Sequence, residues 1–341
     1  MAVTIKQVSE HCGVSISAVS KALNGYPDIG EKTRKKVIDA ANELGYRPSA
    51  IARGLKTGRT FNLGVVYSED SGSGFLHHYF SPVLEAFRAE AEQRGQDITF
   101  ISSSIKTQGS RVMSYLEHAL YRNVDGVCLV CCDFEQDQIK ELVNSKTPIV
   151  TIDHPFPGRC CIASENRQGM KELTEYVISQ GHKKIAMIYG LTSSSATRDR
   201  MSSFLETMKS AGLDVPEDYL VGSPYHNPQT TKEAVRHILS LNERPSCILV
   251  QDDFSALGGM EAIAEAGLKI PEDISVTGFD GVEILQMCYP RLSTVAQGTK
   301  KIGQEAARQL IMLIEDSSYT APELITVPTK LIRGDTVARI E

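Results

Sequence analysis

The feature that most constrains the fold is an alternation of short apolar runs with amphipathic helices that begins near residue 61. Strands are predicted at FNLGVVYS, DITFISSS, VDGVCLVCC and TPIVTID, and the pattern resumes with KIAMIYG, SCILVQDD and ISVTGFD. Helices are predicted between the first four strands at about 80–94, 110–122 and 136–144. Continuous apolar strands with helical crossovers predict α/β lobes built on doubly wound parallel sheets. Two such series indicate two lobes with a cleft between them.

The chain has 341 residues, of which 41% are hydrophobic and 23% charged, so it is long enough for two or three ordinary globular domains. It contains no apolar run of about 18 residues, and its first residues lack a basic segment followed by an apolar one. We therefore expect a cytoplasmic protein.

Eight cysteines lie mostly inside apolar runs such as GVCLVCC, where a thiol behaves as a small hydrophobic side chain. Cys128 and Cys131 form a C-x-x-C pair, and Cys160 and Cys161 are adjacent, but two separated pairs of the usual zinc type are missing. The sequence predicts reduced core cysteines, with no metal and no cofactor.

Charge divides the chain unevenly. Residues 1–60 carry ten Lys or Arg against five Asp or Glu, a net charge of +5, while the whole chain has −6, which leaves −11 for the remainder. A basic head on an acidic body is typical of a nucleic-acid-binding module joined to a domain with another task.

The basic head has the signals of a helix-turn-helix. Thr4 and Gln7 have capping-box spacing, Gly13 ends the first helix, and Ser15 begins a second that reaches Leu23. Its outward positions are Ile16, Ser17, Ser20 and Lys21, mostly short side chains. Such a surface allows close approach to a DNA groove, with hydroxyls for base edges or phosphates and methyls for thymine. A third helix is predicted at 31–44, with Arg34, Lys35 and Lys36 exposed.

The segment YRPSAIARGLKTGRT follows this head. Pro48 and Ser49 signal a helix start, but too few apolar residues follow to sustain a helix alone. The segment is predicted to fold only when paired with a second copy, and a flexible basic linker is the alternative.

Several stretches in order along the whole chain resemble the lactose-repressor (LacI/GalR) family of bacterial transcription regulators. The carrying stretches are TIKQVSEHCGVSISAVSKALNG, TRKKVIDAANELGYRPSAIARGLKTGRT, GHKKIAMIYG, DDFSALGGMEAIAEAGLKIPEDISVTGFDG and YPRLSTVAQ. The resemblance implies a helix-turn-helix domain at 1–46, a hinge helix and linker at 47–60, and a periplasmic-binding-protein-like core at 61–341 for effector binding and dimerisation.

The resemblance also implies roles for residues in the head. Ile16, Ser17 and Lys21 match base-reading positions. Contacts to the DNA backbone or base edges are expected from Thr4, Ser15, Ser20 and Asn24. Leu55 matches a hinge leucine that wedges into the central minor-groove step, and Ala52 the small position where paired hinge helices meet.

In open parallel sheets ligands bind beyond the carboxyl ends of the strands. The polar groups predicted there are Tyr67 to Asp70, Ser102 to Ser104, Cys131 to Asp133, Asp153, Tyr189 to Thr192, Asp252, Asp253 and Asp280. Paired carboxylates suit the vicinal hydroxyls of a sugar or nucleoside. The alternative is that these aspartates cap the following helices.

By resemblance the effector-binding residues are Tyr79, Phe80, Asp153, Arg200, Tyr225, Asp252 and Asp280. Three positions depart from the family pattern: Ser203 replaces a usual glycine, Asp252 replaces the asparagine of an Asn-Asp pair, and Gly281 replaces a second aspartate. The sequence contains no tryptophan, so any stacking surface must come from Tyr, Phe or His.

The leading hypothesis is a homodimeric regulator, most simply a repressor, whose affinity for a palindromic operator is set by a small-molecule effector such as a sugar. Control by a protein partner or by a purine is the alternative within this class; a cytoplasmic solute-binding protein and a sugar-processing enzyme are the alternatives outside it. The pair His77 and His78 suggests metal or acid-base chemistry, but adjacent residues at a helix start do not face one another. No catalytic motif is recognisable, so no enzyme activity is expected, and the absence of leucine heptads argues against a coiled-coil tetramer.

Overall fold

The structure is a computed structural model that describes residues 3–47, 54, 58–68, 74–106 and 111–341. The chain divides into two compact units, Met1–Phe61 and Asn62–Glu341. The hinge positions Ala52 and Leu55, and the strand-end residue Asp70, lie outside the described residues. No helix in the described ranges is both long and apolar enough to cross a membrane.

The first unit contains three helices, α1 (Ile5–Cys12), α2 (Ile16–Leu23) and α3 (Glu31–Leu44). The predicted capping box is confirmed, because the Thr4 hydroxyl accepts from the Gln7 main chain and the Gln7 side chain accepts from the Thr4 main chain. Gly13 ends α1 with φ 65°, a left-handed conformation that glycine adopts without strain.

A small core holds these helices together. Its buried members come from all three helices: Val8, Cys12, Val19, Ala22, Val37, Ala40 and Ala41. Lys35 and Lys36 are exposed as predicted, whereas Arg34 is half-buried because its guanidinium donates a 2.8 Å hydrogen bond to the Tyr26 carbonyl. Prediction of an exposed Arg34 was therefore wrong, and this arginine ties α3 to the turn after α2.

The strands and helices of the second unit follow in chain order. The strands are β1 (Asn62–Tyr67), β2 (Asp97–Ile101), β3 (Gly126–Cys131), β4 (Ile149–Ile152), β5 (Cys160–Ser164), β6 (Ile185–Tyr189), β7 (Leu220–Gly222), β8 (Cys247–Leu249), β9 (Ser275–Thr277), β10 (Thr294–Ala296), β11 (Leu324–Val327) and β12 (Lys330–Ile332). The helices are α4 (Phe80–Gln93), α5 (Tyr115–Arg122), α6 (Asp137–Val143), α7 (Asn166–Ser179), α8 (Ser195–Ser210), α9 (Pro228–Leu239), α10 (Asp253–Glu265) and α11 (Thr299–Glu315).

Two parallel sheets confirm the predicted fold class. The six-stranded sheet has the order β11-β5-β4-β3-β1-β2, and the four-stranded sheet has the order β7-β6-β8-β9. Strand β5 was not predicted, because its two cysteines were considered as core residues without a strand of their own. Helix α5 begins later than expected, since Ser114 and Glu117 form a capping box there.

The two sheets define two lobes of the second unit, and the chain passes between them three times. It crosses from β5 to α7, from β10 to α11, and from β11 to β12. Strands β10 and β12 pair antiparallel beside these crossings and were also not predicted. The Ser195 hydroxyl, at the start of α8 after β6, donates to the main-chain carbonyl of Asp153 after β4, so residues beyond the carboxyl ends of these two strands meet from opposite lobes.

Helix α11 packs closely against α4 over the larger sheet. Gly303 makes this approach possible, because a Cβ atom at that position would overlap the carbonyl oxygen of Val83 and lie 2.8 Å from the Phe87 nitrogen. The obstruction is main chain, which a side-chain rotation cannot relieve.

Replacing Gly303 by alanine should therefore lower the free energy of unfolding by about 2 kcal/mol, because the added methyl forces the two helices apart. Urea denaturation followed by circular dichroism measures the change. Lys301→Ala, on an exposed position of the same helix, should change stability by less than about 0.5 kcal/mol. Equal stability of Gly303→Ala and the unsubstituted chain would contradict the close helix contact.

Candidate functional site

The first candidate surface is the exposed side of α2. Ile16 is 47% exposed and Ser17 is exposed, while Ser20 and Lys21 are half-buried. The Ser15 hydroxyl accepts a 3.2 Å hydrogen bond from the Ala18 main chain and so caps the helix. The surface therefore combines one apolar side chain with hydroxyls, as the sequence indicates.

Two polar residues at the end of α2 have partners within the head. The Lys21 ammonium is ion-paired with Asp28, and this hydrogen bond raises the pKa of Lys21. Asn24 donates from its amide to the Ser20 carbonyl at 2.6 Å. Both contacts are at the exposed surface, so a nucleic acid can replace them by phosphate or base contacts at small cost.

The second candidate site lies in the cleft between the lobes of the second unit. Tyr79 donates its hydroxyl to Asp153 Oδ2 at 2.5 Å, which joins the start of α4 to the end of β4. Burial raises the pKa of Asp153, against the lowering effects of the Tyr79 hydrogen bond and the Arg200 charge. The other oxygen, Oδ1, is buried without a hydrogen-bond partner among the described residues.

Arg200 on α8 is the buried cation of the cleft. Its Nε donates to Asn166 Oδ1 at 2.8 Å, and one terminal nitrogen donates to the Gln251 carbonyl at 3.2 Å. The guanidinium carbon lies 3.6 Å from the centre of the Phe279 ring. These contacts hold the guanidinium in one orientation, with its charge acting on both carboxyl groups of the cleft.

Asp280 provides the second carboxyl group. Its Oδ1 accepts a 2.6 Å hydrogen bond from the Gln297 amide. Its main-chain φ of 119° is a value that residues other than glycine rarely adopt. Burial raises the pKa of Asp280 well above its usual range, while Arg200 opposes the shift and the charge of Asp252 adds to it. A strained, buried carboxyl of this kind is typical of a binding site.

Tyr225 forms an aromatic wall of the cleft. Its hydroxyl lies 2.8 Å from the Thr197 hydroxyl, and its ring lies against Gly190, where a Cβ atom would overlap the ring carbons. Phe80 extends the aromatic surface, since its ring centre is 4.8 Å from that of Tyr79.

Asp252 and Asp253 have structural partners. Asp252 Oδ1 accepts from the Ser255 main chain at 2.7 Å, and Oδ2 accepts from the His226 main chain at 2.9 Å. Asp253 accepts from the Thr294 hydroxyl at 2.5 Å and from the Val282 main chain at 2.7 Å. Asp252 thus caps α10, which is the alternative that the sequence left open for strand-end aspartates.

The structure thus brings five predicted residues into one electrostatically coupled cleft: Tyr79, Asp153, Arg200, Tyr225 and Asp280. Sequence reasoning missed Asn166, Gln251, Phe279 and Gln297, although Asn166 and Gln251 lie two residues after the ends of β5 and β8. The Gln251 side chain donates to the Ser223 and Pro224 carbonyls within the second lobe, and only its main-chain carbonyl contacts Arg200. Two buried oxygens of the cleft residues have no hydrogen-bond partner among the described residues, namely Asp153 Oδ1 and Gln297 Oε1. Both are acceptors, so they are suited to a ligand that donates hydrogen bonds.

An exposed helix that suits a DNA groove, together with a polar ligand cleft in a two-lobed α/β core, defines a ligand-responsive DNA-binding regulator. Residues 4–49 match the bacterial regulatory proteins of the lacI family, and residues 174–337 match the periplasmic binding protein-like domain. The chain therefore carries a LacI-family DNA-binding domain and a periplasmic-binding-protein-like domain, and it is an effector-controlled DNA-binding transcriptional regulator.

Similar proteins cover the same length. The chain is 28% identical over 340 residues to the HTH-type transcriptional repressor PurR of Pasteurella multocida (strain Pm70), which covers 99% of both chains. It is 28% identical over 341 residues to the probable HTH-type transcriptional repressor ExuR of Bacillus subtilis (strain 168), again 99% of both. A crystal structure of the Lac repressor dimer bound to operator and the anti-inducer ONPF matches with a TM-score of 0.83 at 25% identity, over 99% of this chain and 100% of that one.

The buried carboxyl of Asp253 generates a pH prediction. Burial raises its pKa to about 7, whereas an aspartate in an unfolded chain titrates near 3.9. Between these values the folded state keeps a proton that the unfolded state releases, so this group stabilises the fold at low pH and that stabilisation is lost as the pH rises through 7. Asp253→Asn cannot ionise and should lack this dependence.

The measurement is urea denaturation of both proteins from pH 4 to 8.5. The free energy of unfolding of the unsubstituted chain, relative to that of Asp253→Asn, should fall as the pH rises towards 7 and then become level. The slope of the fall is at most about 1.4 kcal/mol per pH unit for one proton. A difference that is constant across this range, or that grows with pH, would show that Asp253 is ionised in the folded protein throughout.

Proposed function

We propose that the protein is a cytoplasmic, homodimeric transcriptional repressor that releases or binds its operator according to a neutral, hydroxyl-rich effector such as a sugar. The observation that carries the effector class is a pair of buried acceptors without a partner among the described residues, namely Asp153 Oδ1, near the Arg200 charge, and Gln297 Oε1, whose amide nitrogen donates to Asp280. The proposed domain organisation is a DNA-binding domain at 1–46, a hinge helix and linker at 47–60, and an effector-binding and dimerisation core at 61–341.

In this proposal α2 enters the major groove. Ile16, Ser17 and Lys21 read base edges, and the polar residues around them contact backbone or base edges, namely Thr4, Ser15, Ser20 and Asn24. Ala52 and Leu55 act in the hinge, where Leu55 wedges into the minor groove. The exposure of Ile16 and Ser17 supports the first role, and the hinge roles rest on family resemblance.

The charge of the cleft favours a neutral ligand. Two carboxyl groups whose pKa burial raises, Asp153 and Asp280, lie near one cation, Arg200, which donates to Asn166 and to the Gln251 carbonyl. A phosphate or carboxylate on a ligand would face these two carboxyl groups, whereas ligand hydroxyl groups both donate to and accept from them. Tyr79, Phe80 and Tyr225 provide aromatic surface for the apolar face of a sugar ring. Asp252 contributes through α10, which it caps.

A purine is the second candidate, because several similar proteins are repressors named PurR. Its ring nitrogens and amino groups also donate hydrogen bonds, and it would stack on Tyr225. Either ligand is expected to be bound and released unchanged, since the cleft has no nucleophile activated by a neighbouring base among the described residues.

Dimerisation is supported by exposed apolar side chains. Met287 is 71% and Tyr289 92% exposed in one short segment of the second lobe, and Leu76 is 81% exposed in the first. Exposed apolar groups of this size are typical of protein interfaces. The Lac repressor of similar fold is a dimer on its operator, and a palindromic site needs two heads.

Effector binding in the cleft is coupled to operator binding through the arrangement of the two lobes. An effector that binds one cleft geometry more tightly shifts the lobes, changes the spacing of the two hinge segments, and so stabilises or melts the paired hinge helices. A coupling of about 1 to 3 kcal/mol corresponds to a 5- to 150-fold change in operator affinity.

A substitution in α2 tests the DNA-binding role. Ile16→Ala should weaken operator binding about tenfold or more, because the side chain is lost from a base-reading surface. The operator is first selected from random DNA with the full chain, and affinities are measured by fluorescence anisotropy at fixed salt. Ile38→Ala removes an isoleucine that is similarly exposed but lies on α3 and should change affinity less than about twofold. Equal effects of the two substitutions, or operator binding by a chain without residues 1–60, would contradict the proposal.

A thermal-shift screen against sugars, polyols, sugar phosphates and purines tests the effector site. A neutral sugar or polyol at about 100 times its dissociation constant should add about 2.7 kcal/mol of stability and raise the midpoint by a few degrees. Asp280→Asn and Arg200→Met should abolish the shift, while Asp214→Asn, an exposed position of the same lobe, should preserve it. A purine hit sensitive to the same substitutions would favour the second candidate, and a hit with sugar phosphates alone would contradict the charge argument.

A further inference from the structure

A cluster of three imidazoles and one phenyl ring spans the cleft at a place separate from the crossings between lobes. His77 and His78 precede α4 in the first lobe, while His226 precedes α9 and Phe254 lies on α10 in the second. The His226 ring is stacked on His77 with ring centres 4.2 Å apart and on Phe254 at 4.1 Å. His78 Nδ1 lies 3.2 Å from His226 Nε2, and its ring stacks on Phe254 at 5.0 Å.

The cluster joins the lobes by non-covalent contacts alone. The three crossings of the chain lie at β5, β10 and β11, whereas His77 and His78 follow β1, which is three strands from β5 in the larger sheet. A contact away from the crossings holds the lobes at a fixed opening. If it breaks, the lobes are free to turn about the crossings.

Three features of the cluster limit the number of protons that its imidazoles can carry. His77 Nδ1 accepts hydrogen bonds from the main-chain nitrogens of Tyr79 and Phe80 at 3.3 and 3.4 Å, so it must keep its lone pair. A hydrogen bond between His78 and His226 likewise needs one ring nitrogen without a proton. A second positive charge would also face the first across a stack of about 4 Å, at the amino end of α4 where cations are disfavoured.

The charged groups on the surrounding elements do not alter this limit on the number of protons in the cluster. Asp252 accepts from the His226 main chain and favours one proton on the cluster, which the His78–His226 pair is able to share. Asp253, beside Asp252, is a buried carboxyl whose pKa burial raises to about 7. Ion pairs on the packed helices join Lys232 to Glu261 and Glu265, Arg88 to Glu85 and Glu92, and Glu90 to Arg94 and Arg308. Tyr79 donates its hydroxyl to Asp153, and the Tyr225 hydroxyl is hydrogen-bonded to the Thr197 hydroxyl.

The main-chain conformation of His226 is also one that surrounding contacts must maintain. His226 has φ 54°, in the left-handed region that glycine favours. Such a conformation persists only where surrounding contacts hold it, and here those contacts are the ring stack and the Asp252 carboxylate.

We propose that His77, His78, His226 and Phe254 form a proton-operated clasp that holds the two lobes together near neutral pH and releases them on acidification. Histidine side chains commonly change charge between about pH 5 and 8, so the release falls in a range that cells experience. The proposal depends on the proposed function only for its consequence, which is a lower affinity of the closed cleft for its effector at acid pH.

Hydrogen exchange of the full chain, read by mass spectrometry without any ligand or DNA, tests the clasp directly. The reporters are peptides that contain the main-chain nitrogens of Tyr79 and Phe80, which donate to His77, and of His226, which donates to Asp252. After correction for the intrinsic rate, their protection should fall about tenfold or more between pH 7.5 and 5.5, since opening linked to one proton changes tenfold per pH unit below the imidazole pKa. Peptides from β3 and β8 should remain protected.

Two variants separate protonation from packing. His226→Phe keeps a ring between His77 and Phe254 but cannot take a proton, so the protection of its reporter peptides should be the same at both pH values. His78→Gln, a second variant that cannot titrate, should reduce the pH dependence as well. His237→Gln removes an exposed histidine of α9 and should behave like the unsubstituted chain. Reporter peptides of the unsubstituted chain that stay equally protected at both pH values, or a His226→Phe that loses protection to the same extent, would overturn the clasp whatever the effector proves to be.

Discussion

The cleft depends on one buried guanidinium. Arg200 is fixed by Asn166, by the Gln251 carbonyl and by the Phe279 ring, so its charge cannot be screened by water or moved aside. That charge opposes the rise in pKa that burial imposes on Asp153 and Asp280, and Asp153 Oδ1 remains a buried acceptor without a partner among the described residues. A ligand that donates hydrogen bonds would contact groups of both lobes at once. Its binding would therefore favour one arrangement of the lobes.

The elements with strong local signals were predictable. The capping residues Thr4 and Ser15 and the terminating Gly13 defined the head helices within a residue, because each acts on its immediate neighbours. Central strands were predicted from their apolar runs. Strands β5, β7, β10, β11 and β12 were missed, because such strands are defined by distant partners rather than by their own sequence.

The candidate site was predictable only in part. The strand-end rule found Asp153 and Asp280, and resemblance added Arg200, Tyr79 and Tyr225. Asn166 and Gln297 follow strands β5 and β10, which were not predicted, so the strand-end rule could not find their amides. The expectation that His77 and His78 do not face one another concerned only neighbouring residues of the chain. It did not include their common partner, His226, about 150 residues away.

The central claim is that effector and operator act on one equilibrium, and its most direct test is reciprocity. Isothermal titration calorimetry of the effector with the full-length protein, alone and saturated with operator DNA, gives the factor by which DNA changes effector affinity. Operator titrations with and without saturating effector give the converse factor. Our account predicts that the two factors are equal and lie between about 5 and 150. An effector that binds the cleft with the same affinity whether or not operator is bound would contradict it.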